Sequence, residues 1–317
     1  MRSIDAEQLR NALNWSSLID ALQTLFNEGC NTPLRHHHTM QVPGEDDATL
    51  LLMPAWQPGR YLGIKTITVY PGNSAREVPG VHATYQLCSG VTGEPLAILD
   101  GSELTARRTA AASALASRYL SRHDASRLLM VGTGRLSLNL IAAHCSVRPI
   151  REVVVWGRTS AKAEAIAAKA QELGVTAVAS ENLECACREA EIISTATLSH
   201  EPLIRGEWLQ EGSHLDLVGG FTPARREADD ECVRRSRVFV DTRDGALQEA
   251  GDIVVPIRTG VLRSEDVRGD LFDLCRGASQ GRESTDEITL FKSVGTALED
   301  LVAAILAYEC DVHPTQR

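Results

Sequence analysis

Residues 127–137, RLLMVGTGRLS, pass from a short apolar run through Gly132-Thr133-Gly134 into Arg135, Leu136 and a helical pattern. A strand, a glycine turn and a helix start in that order can hold a pyrophosphate. The glycines let backbone N–H groups approach it, and the helix N-terminus favours its negative charge. Ser137 fills the third position of the fingerprint and is small enough for close helix–strand packing. A glycine turn alone is a weak signal, but a second apolar strand and amphipathic helix follow in REVVVWGRTSAKAEAIAAKAQELG. At the end of that second strand an acid usually meets a free ribose 2′-hydroxyl. Here Gly157, Arg158 and Thr159 stand instead. An Arg beside a hydroxyl suits a 2′-phosphate, so NADP(H) is expected over NAD(H). The other reading of Arg158 is a solvated loop residue.

A second group of chemistry-bearing residues is cationic and lies earlier in the chain. Lys65 sits inside YLGIKTITVY. Period-two alternation puts it on one face with Tyr61, Ile67 and Val69, where a charge needs a partner or a pocket. The opposite assignment buries Leu62 and Ile64 and leaves Lys65 in water, and the alternation does not choose between them. Arg107 and Arg108 fall near the start of an Ala-rich helix, Glu103–Leu120. Cations there cost about a few tenths of a kcal/mol, so an anion nearby is expected. It would be a substrate carboxylate gripped by the bidentate guanidinium, or an ion pair with Asp100 or Glu103. Arg35, after Pro33-Leu34, carries no reading of its own.

These residues must be positioned by elements the pattern also marks. Ser16–Asn27 reads as an amphipathic helix, and Thr49–Trp56, Tyr61–Tyr70, Tyr85–Ser89 and Leu96–Leu99 as strands. Further strands are expected at Glu191–Thr197, His214–Gly219 and Arg237–Thr242, alternating with helices. That alternation predicts a Rossmann-type, doubly wound parallel sheet over residues 121–295. The last helix, Thr296–Ala307, carries Leu298, Leu301, Val302 and Ile305 on one stripe, which needs a surface to pack on. Residues 296–317, which contain it, are assigned with residues 1–120 to an α+β domain for substrate binding and dimerisation.

Composition narrows the class. The 317 residues suffice for two domains, and 43% apolar with 23% charged residues is the balance of a soluble globular protein. A net charge of -10 argues against nucleic acid or an anionic membrane as partner. No apolar run approaches membrane-span length, and MRSIDAEQLR lacks a signal-peptide core. The eight cysteines form no CxxC pair, so reduced thiols in a cytoplasmic protein are expected. His36-His37-His38 lacks companion ligands, so a structural or rim role is favoured over metal, and no metal is expected.

Taken in order, several motifs resemble the ornithine cyclodeaminase/μ-crystallin family over nearly the whole chain. They are TPLR ending at Arg35, GIKTITVYPGN (Gly63–Asn73), TGEPLAILDG, LTARRTAAASALASRYL, VGTGRLS and EITLFKSVGTALEDL. The resemblance implies a substrate carboxylate gripped at Arg35, Lys65 and Arg108. It implies cofactor contacts at Thr133, Gly134 and Arg135, at Thr195, Ala196 and Thr197, at the Gly219-Gly220 turn, and at Ser293, Val294 and Gly295. It also implies a homodimer.

The chain departs from the family at one point. Cyclodeaminases and related alanine dehydrogenases carry an Asp after the paired small residues that follow the fifth strand. This chain reads LVGGFTP and places Phe221 there. A second cyclodeaminase acid falls near Leu51 or Leu52. Cyclodeamination needs a positioned base, and Phe221 cannot serve. Imine reduction asks only for a held carboxylate and a dry, oriented C=N group, and an FTP loop resembles that of pyrroline-2-carboxylate reductase-like members. The expected activity is therefore NAD(P)H-dependent reduction of Δ1-pyrroline-2-carboxylate or Δ1-piperideine-2-carboxylate. Phe221 would pack on the ring, and Lys65 could also donate a proton. The alternatives are ornithine cyclodeamination and non-catalytic NADPH storage of the μ-crystallin type.

Overall fold

The structure is a computed structural model that describes residues 1–312. In chain order its elements are β1 (Arg2–Ile4), α1 (Ala6–Ala12), α2 (Trp15–Glu28), β2 (His36–Met40), β3 (Ala48–Gln57), β4 (Tyr61–Val69), β5 (Val81–Ser89), β6 (Pro95–Asp100) and α3 (Gly101–Leu120). There follow β7 (Arg127–Val131), α4 (Ser137–Val147), β8 (Glu152–Trp156), α5 (Ser160–Gln171), β9 (Thr176–Ala179), α6 (Leu183–Glu189), β10 (Ile192–Thr195) and β11 (His214–Leu217). The chain ends through α7 (Asp230–Arg235), β12 (Ser236–Val240), α8 (Arg243–Glu249), α9 (Gly251–Arg258), β13 (Gly269–Asp270), α10 (Leu271–Cys275), β14 (Ile288–Lys292) and α11 (Ala297–Val312).

Two compact units divide the chain, Met1–Thr109 with the segment from Thr296, and Ala110–Gly295. The division falls within α3, not after residue 120 as the sequence suggests. The later part of α3 belongs to the second unit because its Ser113 donates to Asp216 on β11, at 2.9 Å.

The first unit is built on a six-stranded sheet of order β1-β6-β5-β4-β3-β2. It is antiparallel except for the β1–β6 pair. Helices α11 and α2 pack together, and α11 also covers β3, β4 and β5. Leu298, Leu301 and Val302 are buried there, which gives the orphan stripe of the last helix its surface. The three histidines occupy β2, an exposed edge strand, where His36 and His38 meet edge to face. Among the described residues no three His, Cys, Asp or Glu side chains gather as a metal would need.

The second unit is an eight-stranded parallel sheet of order β13-β12-β14-β11-β10-β7-β8-β9. The chain leaves β7 for β8 on one side, and the later strands β10 and β11 lie on the other. The switch point is therefore beside β7, and ligands bind such sheets at the carboxyl ends of the strands flanking it. No described helix is long and apolar enough to cross a membrane.

Candidate active site

The glycine turn lies at that switch point. Gly132 has φ +125°, and a Cβ there would stand 2.6 Å from the carbonyl oxygen of Ala196, so only glycine fits. A Cβ on Gly134 would meet nothing within 4 Å, which leaves room for a ligand. Helix α4 begins at Ser137 with no side chain capping its first N–H groups. Uncapped donors behind an open glycine turn are what a pyrophosphate requires.

A cavity of about 260 Å³ opens here, lined by Gly132, Thr133, Gly134, Gly157, Arg158, Thr159, Ala196 and Thr197 together with Trp156, Lys162, Leu198, Ser199 and Leu203. No Asp or Glu lines it. Thr159 precedes α5 without spending its side chain on a cap, and Lys162 stands one turn beyond it. Among the expected cofactor residues, Arg135 and Leu136 follow the turn but do not line the cavity. Gly219, Ser293 and Gly295 also lie outside this lining. Thr195 ends β10, buried, with its hydroxyl oxygen unpartnered among the described residues.

The cations of the first unit form a second cluster. Lys65 is 1% exposed and Arg108 5%. The inward assignment of the Lys65 face is therefore the correct one. It lies across from Met53 on β3 and Tyr85 on β5. Lys65 Nζ is 2.6 Å from Asp300 Oδ2. Arg108 donates from Nε to Asp300 Oδ1 at 3.0 Å and from Nη1 to Glu299 Oε2 at 2.6 Å. Arg107 instead keeps Glu103, at 3.6 Å, the ion pair offered as the plainer reading. Burial lowers the Lys65 pKa to about 8. Asp300 pulls it up, while the charges of Arg108 and Arg35 push it down. Arg35 therefore acts on the same ammonium. Burial alone would raise the Asp300 carboxyl, but Lys65 and Arg108 hold it below its ordinary value. Burial also opposes the Arg108 charge, which Asp300 and Glu299 more than restore.

Phe221 is 45% exposed, and Arg225 lies over its ring at 5.8 Å. No carboxylate takes its position. Glu227 and Asp252 lie behind the preceding glycines; Glu227 accepts from Gly219 N, and Asp252 accepts through Oδ1 from the N–H of Glu227 and Ala228 while its Oδ2 faces Lys292 Nζ at 3.3 Å. Leu51 and Leu52 stand on β3, facing Ile67 and Thr66.

A profile of the Ornithine cyclodeaminase/mu-crystallin family matches residues 4–313. The chain is 38% identical over 308 residues to a Delta(1)-pyrroline-2-carboxylate reductase of Colwellia psychrerythraea, covering 96% of this chain and 97% of that one. This chain belongs to the ornithine cyclodeaminase/mu-crystallin family. Among solved structures, the Thermococcus litoralis Delta(1)-pyrroline-2-carboxylate reductase in complex with NADH and L-proline superposes with TM-score 0.91 at 33% identity, covering 99% of this chain and 98% of that one. An archaeal alanine dehydrogenase dimer with bound NAD superposes with TM-score 0.90 at 28% identity, over 99% and 97% of the two chains. This member of the family is an NAD(P)-dependent oxidoreductase with a Rossmann-type fold.

Two groups of residues in this family member escaped the sequence reading. Glu299 and Asp300 open a helix, where acids normally sit solvated and favour the dipole. The available signal was Ala297, Ala303 and Ala304, which share the face of Asp300 at helical spacing and mark it as close-packed. Lys162 follows Arg158 by four residues, one helical turn into α5, and lines the cavity with it.

Proposed function

We propose that this protein reduces a cyclic ketimine carboxylate, Δ1-pyrroline-2-carboxylate or its six-membered analogue Δ1-piperideine-2-carboxylate, to the L-amino acid. One observation carries the reading. Lys65 and Arg108 are buried cations that share Asp300, yet each has N–H donors beyond those the described residues take up. An ammonium has three donors and a guanidinium five, and buried ones call for acceptors. A carboxylate that accepts from Arg108 Nη2 and Lys65, with Arg35 adding charge, meets that call. Phe221, in place of the family's acid, supports imine reduction over cyclodeamination, because an arene cannot take a proton from an ammonium.

The bound dinucleotide would supply hydride to the imine carbon. The chain's own share is to hold the carboxylate, to keep the ring dry, and to keep the imine nitrogen protonated near Lys65. Phe221 would pack on the ring, and the positive iminium would be tolerated by its π face. For the cofactor we infer NADP(H) over NAD(H). Arg158, Lys162 and the uncapped Thr159 hydroxyl offer cations and a donor to a 2′-phosphate, and no acid lines the cavity to prefer a free 2′-hydroxyl. The reading includes a homodimer, supported by the dimeric alanine dehydrogenase neighbour and by an open groove on the first unit in which Leu25, Val302, Ile305 and Leu306 are rimmed by Glu28, Arg60 and Glu309.

The test follows NADPH and NADH oxidation with both imines, with ornithine as the comparison. Imine-dependent oxidation is expected, with ornithine near background. No imine turnover, or efficient ornithine turnover, overturns the reading. Lys65→Met is expected to abolish turnover while NADPH affinity is kept, which separates an enzyme from a cofactor store. A single-chain mass by light scattering would count against the dimer.

A further inference from the structure

The turns that follow β10 and β11 approach each other so closely that a Cβ on Gly219 would stand 2.0 Å from the carbonyl oxygen of Thr197 and 2.4 Å from its nitrogen. Two backbone segments packed this tightly leave N–H groups pointing at one place. Glu227 is there, fully buried. Its Oε1 accepts from the Thr197 N–H at 2.7 Å and the Thr197 hydroxyl at 2.8 Å, and its Oε2 accepts from the Gly219 N–H at 2.6 Å. Glu227 is itself fixed from behind. Asp252 Oδ1 accepts from the backbone N–H of Glu227 at 2.8 Å and of Ala228 at 3.1 Å. Lys292 Nζ stands 3.3 Å from Asp252 Oδ2 and supplies the countercharge. Lys292 also leads directly into Ser293-Val294-Gly295, where Asp241 Oδ2 takes the Val294 and Gly295 N–H groups at 2.7 and 2.6 Å.

We propose that Glu227 is a positioning residue for the dinucleotide, a buried carboxylate that ties the Thr197 and Gly219 turns into one rigid platform before the cofactor arrives. The inference rests on the reading of these two turns as cofactor contacts. Its physical basis is that both backbone partners are donors. Only an all-acceptor carboxylate satisfies them together; burial, with the charge of Asp252, pushes the Glu227 carboxyl above its ordinary value, and Lys292 and the Thr197 donors pull the other way. An amide of the same shape would aim its NH₂ at one of the two N–H groups. Such a platform improves binding by removing ordering cost, not by touching the ligand.

The experiment compares wild type with Glu227→Gln. Expected is a loss of about ten- to hundredfold in NADPH affinity by fluorescence titration, the effect of breaking a charge-assisted bond at a buried site. The KM for the imine at saturating cofactor should stay within about twofold of wild type, and a general structural defect would raise both. Glu227→Asp, which keeps the all-acceptor group one methylene shorter, should recover part of the affinity. NADPH affinity unchanged in a folded Glu227→Gln protein overturns the clamp. If the variant does not fold, amide exchange of the wild type without cofactor decides. Slow exchange at Thr197 and Gly219 supports a preformed platform, and exchange at loop rates that slows only with NADPH overturns it. Amide shifts on adding NADPH test the underlying reading separately. No response at residues 195–199 and 219–221 would remove these turns from the cofactor site and the clamp with them.

Discussion

Asp300 is where the two cations of the first unit meet, so neutralising it with Asp300→Asn makes a sharp prediction. The Lys65 ammonium lies 2.6 Å from the carboxylate and has its pKa lowered to about 8 by burial, against the pull of Asp300. At that distance two unit charges attract by about 1.6 kcal/mol even at the dielectric constant of water, and by more in a buried site. One pKa unit is about 1.4 kcal/mol, so losing the attraction lowers the Lys65 pKa by at least about one unit. The sign for function is simple. The protonated amine holds the carboxylate, so kcat/KM is present below the Lys65 pKa and falls as pH rises through it. Wild type should therefore lose kcat/KM for Δ1-pyrroline-2-carboxylate above a pH of about 8. In Asp300→Asn the same limb should lie at least about one unit lower. Both proteins see the same ionisation of the substrate, so the difference between their profiles belongs to the protein. Leaving a buried pair without its anion also costs stability, about 3–5 kcal/mol, so the thermal midpoint must be measured alongside. Should the variant not fold, Lys65→Arg provides the check, because a guanidinium stays charged throughout and the part of the basic limb that belongs to Lys65 should vanish, leaving only that of the substrate. A limb that stays in place in folded Asp300→Asn would refute the coupling.

Two further outcomes follow from other parts of the molecule. Arg158→Asp, alone or with Lys162→Ala, should raise the KM for NADPH by about tenfold or more while leaving that for NADH nearly unchanged, as expected where a charge-assisted phosphate contact is lost; an equal effect on both cofactors would show that neither cation meets a 2′-phosphate. His214 is fully buried on β11, where burial holds its pKa down at about 3, against an ordinary 6.5, so it is neutral in the fold and takes a proton on unfolding. Between those values the unfolded chain binds more protons, so stability falls as pH drops from about 6.5 toward 3, by up to about 5 kcal/mol. Urea unfolding at neutral pH and near pH 4 measures this, and His214→Gln should flatten the dependence.

The parallel sheet and its glycine turn were legible because they are written in local signals. An apolar run of four residues, a glycine pair and a helical period need no distant partner to be recognised, and each stands where the pattern put it, β7, Gly132-Thr133-Gly134 and α4. β3, β4 and β6 were legible to within a residue for the same reason, whereas β5 begins at Val81, ahead of the expected Tyr85, and the short β1 went unmarked. The edge strand β2 was not legible, because three histidines carry no apolar alternation and pair only through their backbone with β3. The face of Lys65 was undecidable in a strand whose two sides read equally well, until α11 covered one of them.

The sequence by itself determined the family, the Rossmann-type unit, and the cations we propose to meet anions: Arg35, Lys65, Arg108 and Arg158. It also placed Phe221 directly after Gly219-Gly220, since that is a matter of identity at one position. Only the tertiary structure decided what balances those charges. Asp300 lies 235 residues after Lys65, and Glu227 reaches back to Thr197 over a separation of 30 residues that includes β11. No local pattern encodes such pairs, because a buried charge is stable only when the fold delivers its partner from elsewhere in the chain.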